Sequence, residues 1–262
     1  MKEITSVQNK LVKELFQLRE KSRLRKKTNT FLIEGQREIS LAVKGSYEIE
    51  KIFFVPDLFS VEQLDELNIT AERIAISDEV YSKLALRDST EGVIALAKGK
   101  SISLNELKFD KENPLILIGE SIEKPGNVGA LLRTADAANI DAVIISEAKS
   151  DFYNPNVIRS SVGCVFTNNI VSTTNDELIP WLKEKGIKVF SAALSASKPY
   201  TEVDFKGPSA IVVGTEATGL SDKWLNASDQ NIIIPMEGEI DSMNVSVSAA
   251  IILFEAKRQR KA

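Results

Sequence analysis

The chain contains no histidine and a single cysteine. Without imidazole there is no Ser-His-Asp relay and no histidine-based metal site. A lone Cys164 excludes an internal disulfide, a cysteine-based zinc site and any methyl transfer that needs two thiols. Its neighbours Val162, Val165 and Phe166 predict a core thiol. No lysine-bearing phosphate loop occurs and no glycine fingerprint follows a first strand, which argues against P-loop chemistry and an ordinary Rossmann-type cofactor site. No apolar run approaches the ~18–20 residues needed to span a bilayer. The charged N-terminal stretch lacks the apolar core of a secretory signal, so the expectation is a cytoplasmic protein without a membrane partner. Internal repeats and low-complexity tracts are also missing.

What is present suits a globular α/β protein. The 262 residues, 43% of them hydrophobic, are enough for a substantial core and for two domains. In the front half a basic helix precedes Phe31-Leu-Ile-Glu-Gly35 and a helix over 36–44. Strands are expected at 52–55, 74–76 and 92–97, with helices at 61–67 and 78–86 between them. This alternation predicts a small α/β domain. The polar stretch between Leu104 and Pro114 reads as a linker.

The net charge of −4 conceals local surpluses of the opposite sign. Eight basic residues stand between Lys10 and Lys27 against Glu14 and Glu20, and a second cluster runs from Lys257 to Lys261. Such patches can contact phosphates while the remaining surface stays acidic. For the body of the first helix, with Leu11, Leu15 and Leu18 on one side, a solvated amphipathic surface explains the charge equally well. Arg23, Arg25, Lys26 and Lys27 lie beyond that periodic stretch and are the candidates for RNA contact. Residues 87–91 form a second candidate loop.

Three stretches of the back half break an apolar run into a turn. The first follows the run Leu115 to Ile118, too short for a helix and therefore a strand. Pro125-Gly126 is turn chemistry, and Asn127 reads as an N-cap for a helix with apolar positions Val128, Leu131, Leu132 and Ala135. A helix start of this kind presents free N–H groups to an anion or a sugar edge. Arg133, nearly two turns along, either faces a ligand or pairs with Glu120 or Asp136 on the surface. The second stretch follows Ala210 to Val213, where Gly214 and Gly219 bracket a turn containing Glu216. The third follows Ile232 to Ile234, stopped by Pro235, and leads through Ser242, Met243 and Asn244 into a helix from Val245. That helix is apolar over most of its circumference, which predicts burial in the core or against another subunit. Ser242 or Asn244 can cap it. Each stretch leaves the end of a strand, so all three can gather at one edge of a parallel sheet.

Taken in order, Glu123 to Arg133, Val213 to Leu220 and Ile234 to Ser246 resemble the motifs of the SpoU (TrmH-type) branch of the SPOUT RNA methyltransferases. Glu123 stands where relatives often have Asp, and Met243 where Leu is common. The front half, looser in its likeness, resembles the ribosomal-protein-like substrate-binding domain that precedes many SpoU-type catalytic domains. The resemblance implies an RNA-binding domain over 1–103, a linker over 104–113 and a SPOUT domain over 114–262. That domain would hold a mostly parallel sheet and a trefoil knot. It further implies S-adenosylmethionine as cofactor, transfer of its methyl group to a ribose 2'-hydroxyl, and a homodimer formed through the SPOUT domain. Gly214, Gly219, Ile234 and Met243 would hold the cofactor. Arg133, Asn127, Ser242, Asn244 and Glu216 would form the catalytic set, with Arg133 also touching RNA. Ribosomal RNA is the expected substrate, ahead of tRNA. Two alternatives stand beside this: a non-catalytic RNA-binding or ribosome-assembly factor on the same scaffold, and an unrelated α/β enzyme acting on a small acidic metabolite.

Overall fold

The computed structural model describes residues 2–86, 91–194, 198–215, 218–239 and 242–261. Along the chain the first elements are β1 (Lys2–Ile4), α1 (Lys10–Glu20), α2 (Ser22–Thr28), β2 (Thr30–Glu34), α3 (Gln36–Lys44) and β3 (Ile49–Phe54). There follow α4 (Val61–Glu66), β4 (Glu72–Ile76), α5 (Asp78–Leu84), β5 (Val93–Lys98), β6 (Leu115–Glu120), α6 (Pro125–Ala138) and β7 (Ala142–Ser146). The remainder comprises α7 (Pro155–Ser160), β8 (Ile170–Thr173), α8 (Asn175–Glu184), β9 (Lys188–Ala192) and β10 (Lys198–Pro199). Last come β11 (Ser209–Val213), α9 (Asp222–Ala227), β12 (Gln230–Ile233) and α10 (Val245–Gln259).

These elements form two compact units. The first contains Met1–Lys100 together with Asp151–Thr167, and the second Ser101–Ser150 with Asn168–Ala262. In the first unit the sheet runs β1-β4-β3-β5-β2, with β2 and β3 antiparallel to β5 and the remaining pairs parallel. Local chemistry explains the helix starts: Ser60 and Gln63 form a reciprocal capping box at α4, and the Ser77 hydroxyl accepts the Val80 N–H at α5. Val12, Leu15 and Leu18 of α1 are buried in one core with Phe53, Ile74 and Ile94.

The segment Asp151–Thr167 supplies three anchors to this unit. The Tyr153 ring stacks on Phe31 at 4.0 Å between centroids, and Phe166 packs edge-on to Tyr47 at 5.1 Å. Burial pushes both the Tyr47 and Tyr153 phenols up, and their proximity adds to the effect at Tyr47. The third anchor corrects an expectation. Arg25 is not an exposed phosphate contact: it is 4% exposed, and its Nε donates to Asp151 Oδ2 at 2.6 Å while Nη1 donates to the carbonyls of Leu18 and Arg19. It faces inward because α2 continues as a helix after α1 and turns Arg25 under the chain, leaving Arg23, Lys26 and Lys27 exposed. Cys164 is half-buried rather than a core thiol, since it opens a short 3₁₀ turn whose inward residues are Val165 and Phe166.

In the second unit all seven strands are parallel, ordered β10-β12-β9-β11-β6-β7-β8. The near-continuous burial of β6, β7 and β11 reflects a sheet covered on both faces. Helix α10 packs on α6 and β11. It has one buried face (Val245, Ala249, Ile252, Leu253, Ala256), but Val247 and Phe254 are about half exposed. Within this chain, then, the helix is not buried all round. No helix among the described residues is long and apolar enough to cross a membrane.

Candidate functional site

Parallel strands place their carboxyl ends along one edge, and the loops leaving β6, β11 and β12 are the three turn-bearing stretches of the sequence. From β6 the chain steps to β7 and β8 on one side, then crosses to β9 on the other. Strand β11 later fills the position between β9 and β6. Such a reversal of strand order leaves a crevice beyond the carboxyl ends, where ligands of open α/β sheets bind.

A cavity of about 370 Å³ lies at that edge, within the ~300–1,000 Å³ typical of small-molecule sites. Gly214, Gly219, Ile234, Ser242 and Met243 all line it. Gly214 and Ile234 stand just past the last paired residues of β11 and β12, where ladder bonding stops. The glycine requirement is steric: a Cβ on Gly214 would lie 2.4 Å from the Gly219 carbonyl oxygen. Gly219 itself has φ +66°, the left-handed region that glycine enters at no steric cost. Its N–H donates to the Thr215 carbonyl at 2.9 Å, and the Thr215 and Thr218 hydroxyls are hydrogen-bonded to each other. Apolar side chains, among them Leu194, Leu220, Leu225 and Met236, complete the wall.

Beside the cavity wall, the first and third stretches are joined directly. Asn127 is not the N-cap of α6: that position is Lys124, Pro125 opens the helix, and Asn127 sits two residues further in. Proline at the first turn needs no donor and sets φ for the helix, so the asparagine amide is not used for capping. Asn244 Nδ2 instead donates to Asn127 Oδ1 at 3.1 Å. Asn244 is also the N-cap of α10, its Oδ1 accepting from the Ser246 N–H at 3.0 Å and the Ser246 hydroxyl at 2.6 Å.

Arg133 is exposed on α6 and makes no hydrogen bond or ion pair with any described residue. The alternative partner Glu120 is buried and bonded elsewhere: Oε2 accepts the Ser221 N–H, while Oε1 accepts from the Ser221 hydroxyl and Asn175 Nδ2. Asn127, Arg133 and Asn244 do not themselves line the cavity. Glu216 lies outside the described residues, as does most of the candidate loop at 87–91.

Sequence reasoning missed the Glu120 cluster and the contribution of Leu194. Glu120 had a visible signal, a carboxylate closing an otherwise wholly apolar strand; Leu194 follows β9 with no motif around it.

Residues 114–254 match the SpoU rRNA Methylase family. The chain belongs to that family. Residues 9–95 match the MRM3-like substrate binding domain. Over 257 residues the chain is 32% identical to the 23S rRNA (guanosine(2553)-2'-O)-methyltransferase RlmP of Bacillus subtilis, covering 98% of this chain and all (100%) of that protein. The crystal structure of an RNA 2'-O ribose methyltransferase superposes with a TM-score of 0.87 at 38% identity, over 99% of this chain and 100% of that one. An AdoMet-bound rRNA methyltransferase from Sinorhizobium meliloti matches with a TM-score of 0.89 at 27% identity, over 98% and 97% of the two chains. The parallel sheet of the second unit is thus that of the SPOUT fold.

Proposed function

We propose that this protein transfers a methyl group from S-adenosylmethionine to a ribose 2'-hydroxyl of ribosomal RNA. The observation that carries the reading is the cavity at the carboxyl edge, where Gly214 and Gly219 of one loop meet Ile234, Ser242 and Met243 of another. The residues present fit such a cofactor: apolar walls suit a purine ring, and strand-end backbone groups suit its polar edges. When bound, the cofactor would supply an electrophilic methyl group on a sulfonium.

The chain's own residues supply the rest. Asn127 and Asn244 tie the start of α6 to the start of α10, so the first and third motifs keep one register. Arg133, two turns along α6 and without a partner among the described residues, is positioned to engage RNA. A guanidinium keeps its proton in proteins and does not serve as a base. Its role in this reading is to orient the target phosphate and stabilise developing negative charge on the ribose oxygen. The hydroxyl proton leaves to water, to Ser242 or to the neighbouring phosphate. Holding the nucleophile in line supplies much of the remaining rate.

In the first unit Arg23, Lys26 and Lys27 are exposed and serve as phosphate contacts in this reading, with residues 1–103 as the RNA-binding domain. Val247 and Phe254 stand two turns apart on the exposed side of α10, and a homodimer through this face would cover them. The cytoplasm, where ribosomal RNA is made into ribosomes, is the corresponding location.

The test is methyl transfer from radiolabelled S-adenosylmethionine to RNA from a strain lacking the gene, separated into large rRNA, small rRNA and tRNA. Alkali-stable label in an rRNA fraction is the expected result. Label in tRNA alone would redirect the substrate assignment. RNA binding with no cofactor binding would overturn the enzyme reading in favour of an assembly factor.

A further inference from the structure

The Glu120 carboxylate ends β6, yet it faces neither solvent nor the cavity. It is 4% exposed and accepts three hydrogen bonds: from the Ser221 N–H at 2.8 Å, the Ser221 hydroxyl at 2.6 Å and Asn175 Nδ2 at 2.6 Å. Ser221 is the N-cap residue of α9, but its hydroxyl caps nothing because it is turned to Glu120. Asn175 passes the network on by accepting the Trp224 indole N–H at 2.8 Å, and Trp224 is wholly buried.

The position of Ser221 gives this cluster its meaning. Gly214, Thr215, Thr218, Gly219 and Leu220, of the loop after β11, line one wall of the cavity. Its first end is held by β11, whose ladder with β6 runs to Val213 opposite Gly119. Its far end is held by Ser221, on the residue after Gly119. One strand therefore clamps both ends of the loop, by backbone pairing at one end and by a buried carboxylate at the other. Charge-assisted bonds to a buried carboxylate are stronger than neutral ones, and losing one strands a donor out of water.

We propose that Glu120 is a positioning residue for the cofactor: its carboxylate fixes the wall lined by Gly214, Thr215, Thr218, Gly219 and Leu220 in the shape that S-adenosylmethionine fits. This inference rests on the cofactor reading above. A glutamine at this position cannot replace the carboxylate, because all three facing groups are donors and one of them must then oppose the amide NH₂. The Asn175 arm braces α8 and α9 without touching the loop, so it provides a control that perturbs the same cluster.

The experiment measures S-adenosylmethionine dissociation constants by calorimetry, with thermal melting and RNA affinity, for the wild type, Glu120→Gln, Ser221→Ala and Asn175→Ala. The expected result is a roughly tenfold weaker cofactor affinity for Glu120→Gln and a smaller loss of the same kind for Ser221→Ala. RNA affinity is unchanged in both, and Asn175→Ala lowers the melting temperature while leaving cofactor affinity intact. Wild-type affinity in a folded Glu120→Gln protein, with Ser221→Ala also unchanged, would overturn the proposal. So would an Asn175→Ala loss of affinity equal to that of Glu120→Gln, since stability alone would then explain the effect. Should Glu120→Gln not fold, Ser221→Ala against Asn175→Ala makes the same comparison. A folded wild type that does not bind S-adenosylmethionine would remove the cofactor reading itself, an outcome distinct from any difference among the variants.

Discussion

Removing the carboxylate of Asp151 should destabilise the first unit more than any single surface change. The Arg25 side chain is 3% exposed and that of Asp151 9%. After Asp151→Ala the guanidinium keeps, among the described residues, the Leu18 and Arg19 carbonyls at 2.8 and 2.7 Å, and its charge stays buried with no counter-ion among them. Breaking one side of a buried pair costs about 3–5 kcal/mol. The Tyr153 N–H also loses Asp151 Oδ1, its acceptor at 2.9 Å, for roughly 1 kcal/mol more. Against a typical domain stability of about 5–15 kcal/mol this is a large fraction. Arg25→Met combined with Asp151→Ala should recover much of the loss, because replacing a whole buried pair with apolar groups is often neutral or stabilising. Urea unfolding of the four proteins, followed by Tyr153-sensitive fluorescence, reads the double-mutant cycle. A loss below about 1 kcal/mol for Asp151→Ala, or strict additivity in the double variant, would refute the account.

Arg133→Ala should leave melting unchanged, since the side chain bonds to no described residue, and leave cofactor binding intact. It should lower methyl transfer by about 10²–10³; loss of cofactor binding in the folded variant would contradict the assigned role. Gly214→Ala places a Cβ 2.4 Å from the Gly219 carbonyl oxygen, so calorimetry should show cofactor binding largely abolished, and retained affinity would show that the loop can yield. Above pH ~10 the unfolded chain ionises its tyrosines while Tyr47 and Tyr153 stay neutral in the fold, because burial raises both. Stability should therefore be complete below that pH and fall as pH rises above it. In an alkaline spectrophotometric titration the tyrosinate signal of these two residues should appear together with unfolding, not before it.

Much of the architecture was legible because its signals are local. The helix expected over 36–44 is α3 (Gln36–Lys44), and the strand expected at 92–97 is β5, displaced by one residue (Val93–Lys98). The three turn-bearing stretches stood out because each pairs an apolar run with glycine or proline, and parallel strands bring them to one edge. What failed depends on which way a side chain faces after tertiary packing. Composition marks Arg25 as one more cation in a basic run, and only the distant Asp151 makes it a buried one. Asn127 looked like a cap because asparagine usually is one before an apolar helix, but Pro125 had already started that helix. The expectation of a knot rests on resemblance alone, since no local pattern announces how a chain threads.

The insertion of Asp151–Thr167 into the first unit also bears on synthesis. A ribosome delivers residues in order, at about 5–20 per second. When Lys100 has emerged, the first unit still lacks the stacking partner of Phe31 and the counter-ion of Arg25, and it waits for them while β6, α6 and β7 come out. For several seconds the nascent chain would hold an unfinished sheet with an apolar gap and a partly buried cation. Maturation of the N-terminal unit is thus timed by the arrival of residue 167 rather than Lys100, and the second unit closes later still, once β11, β12 and α10 have followed.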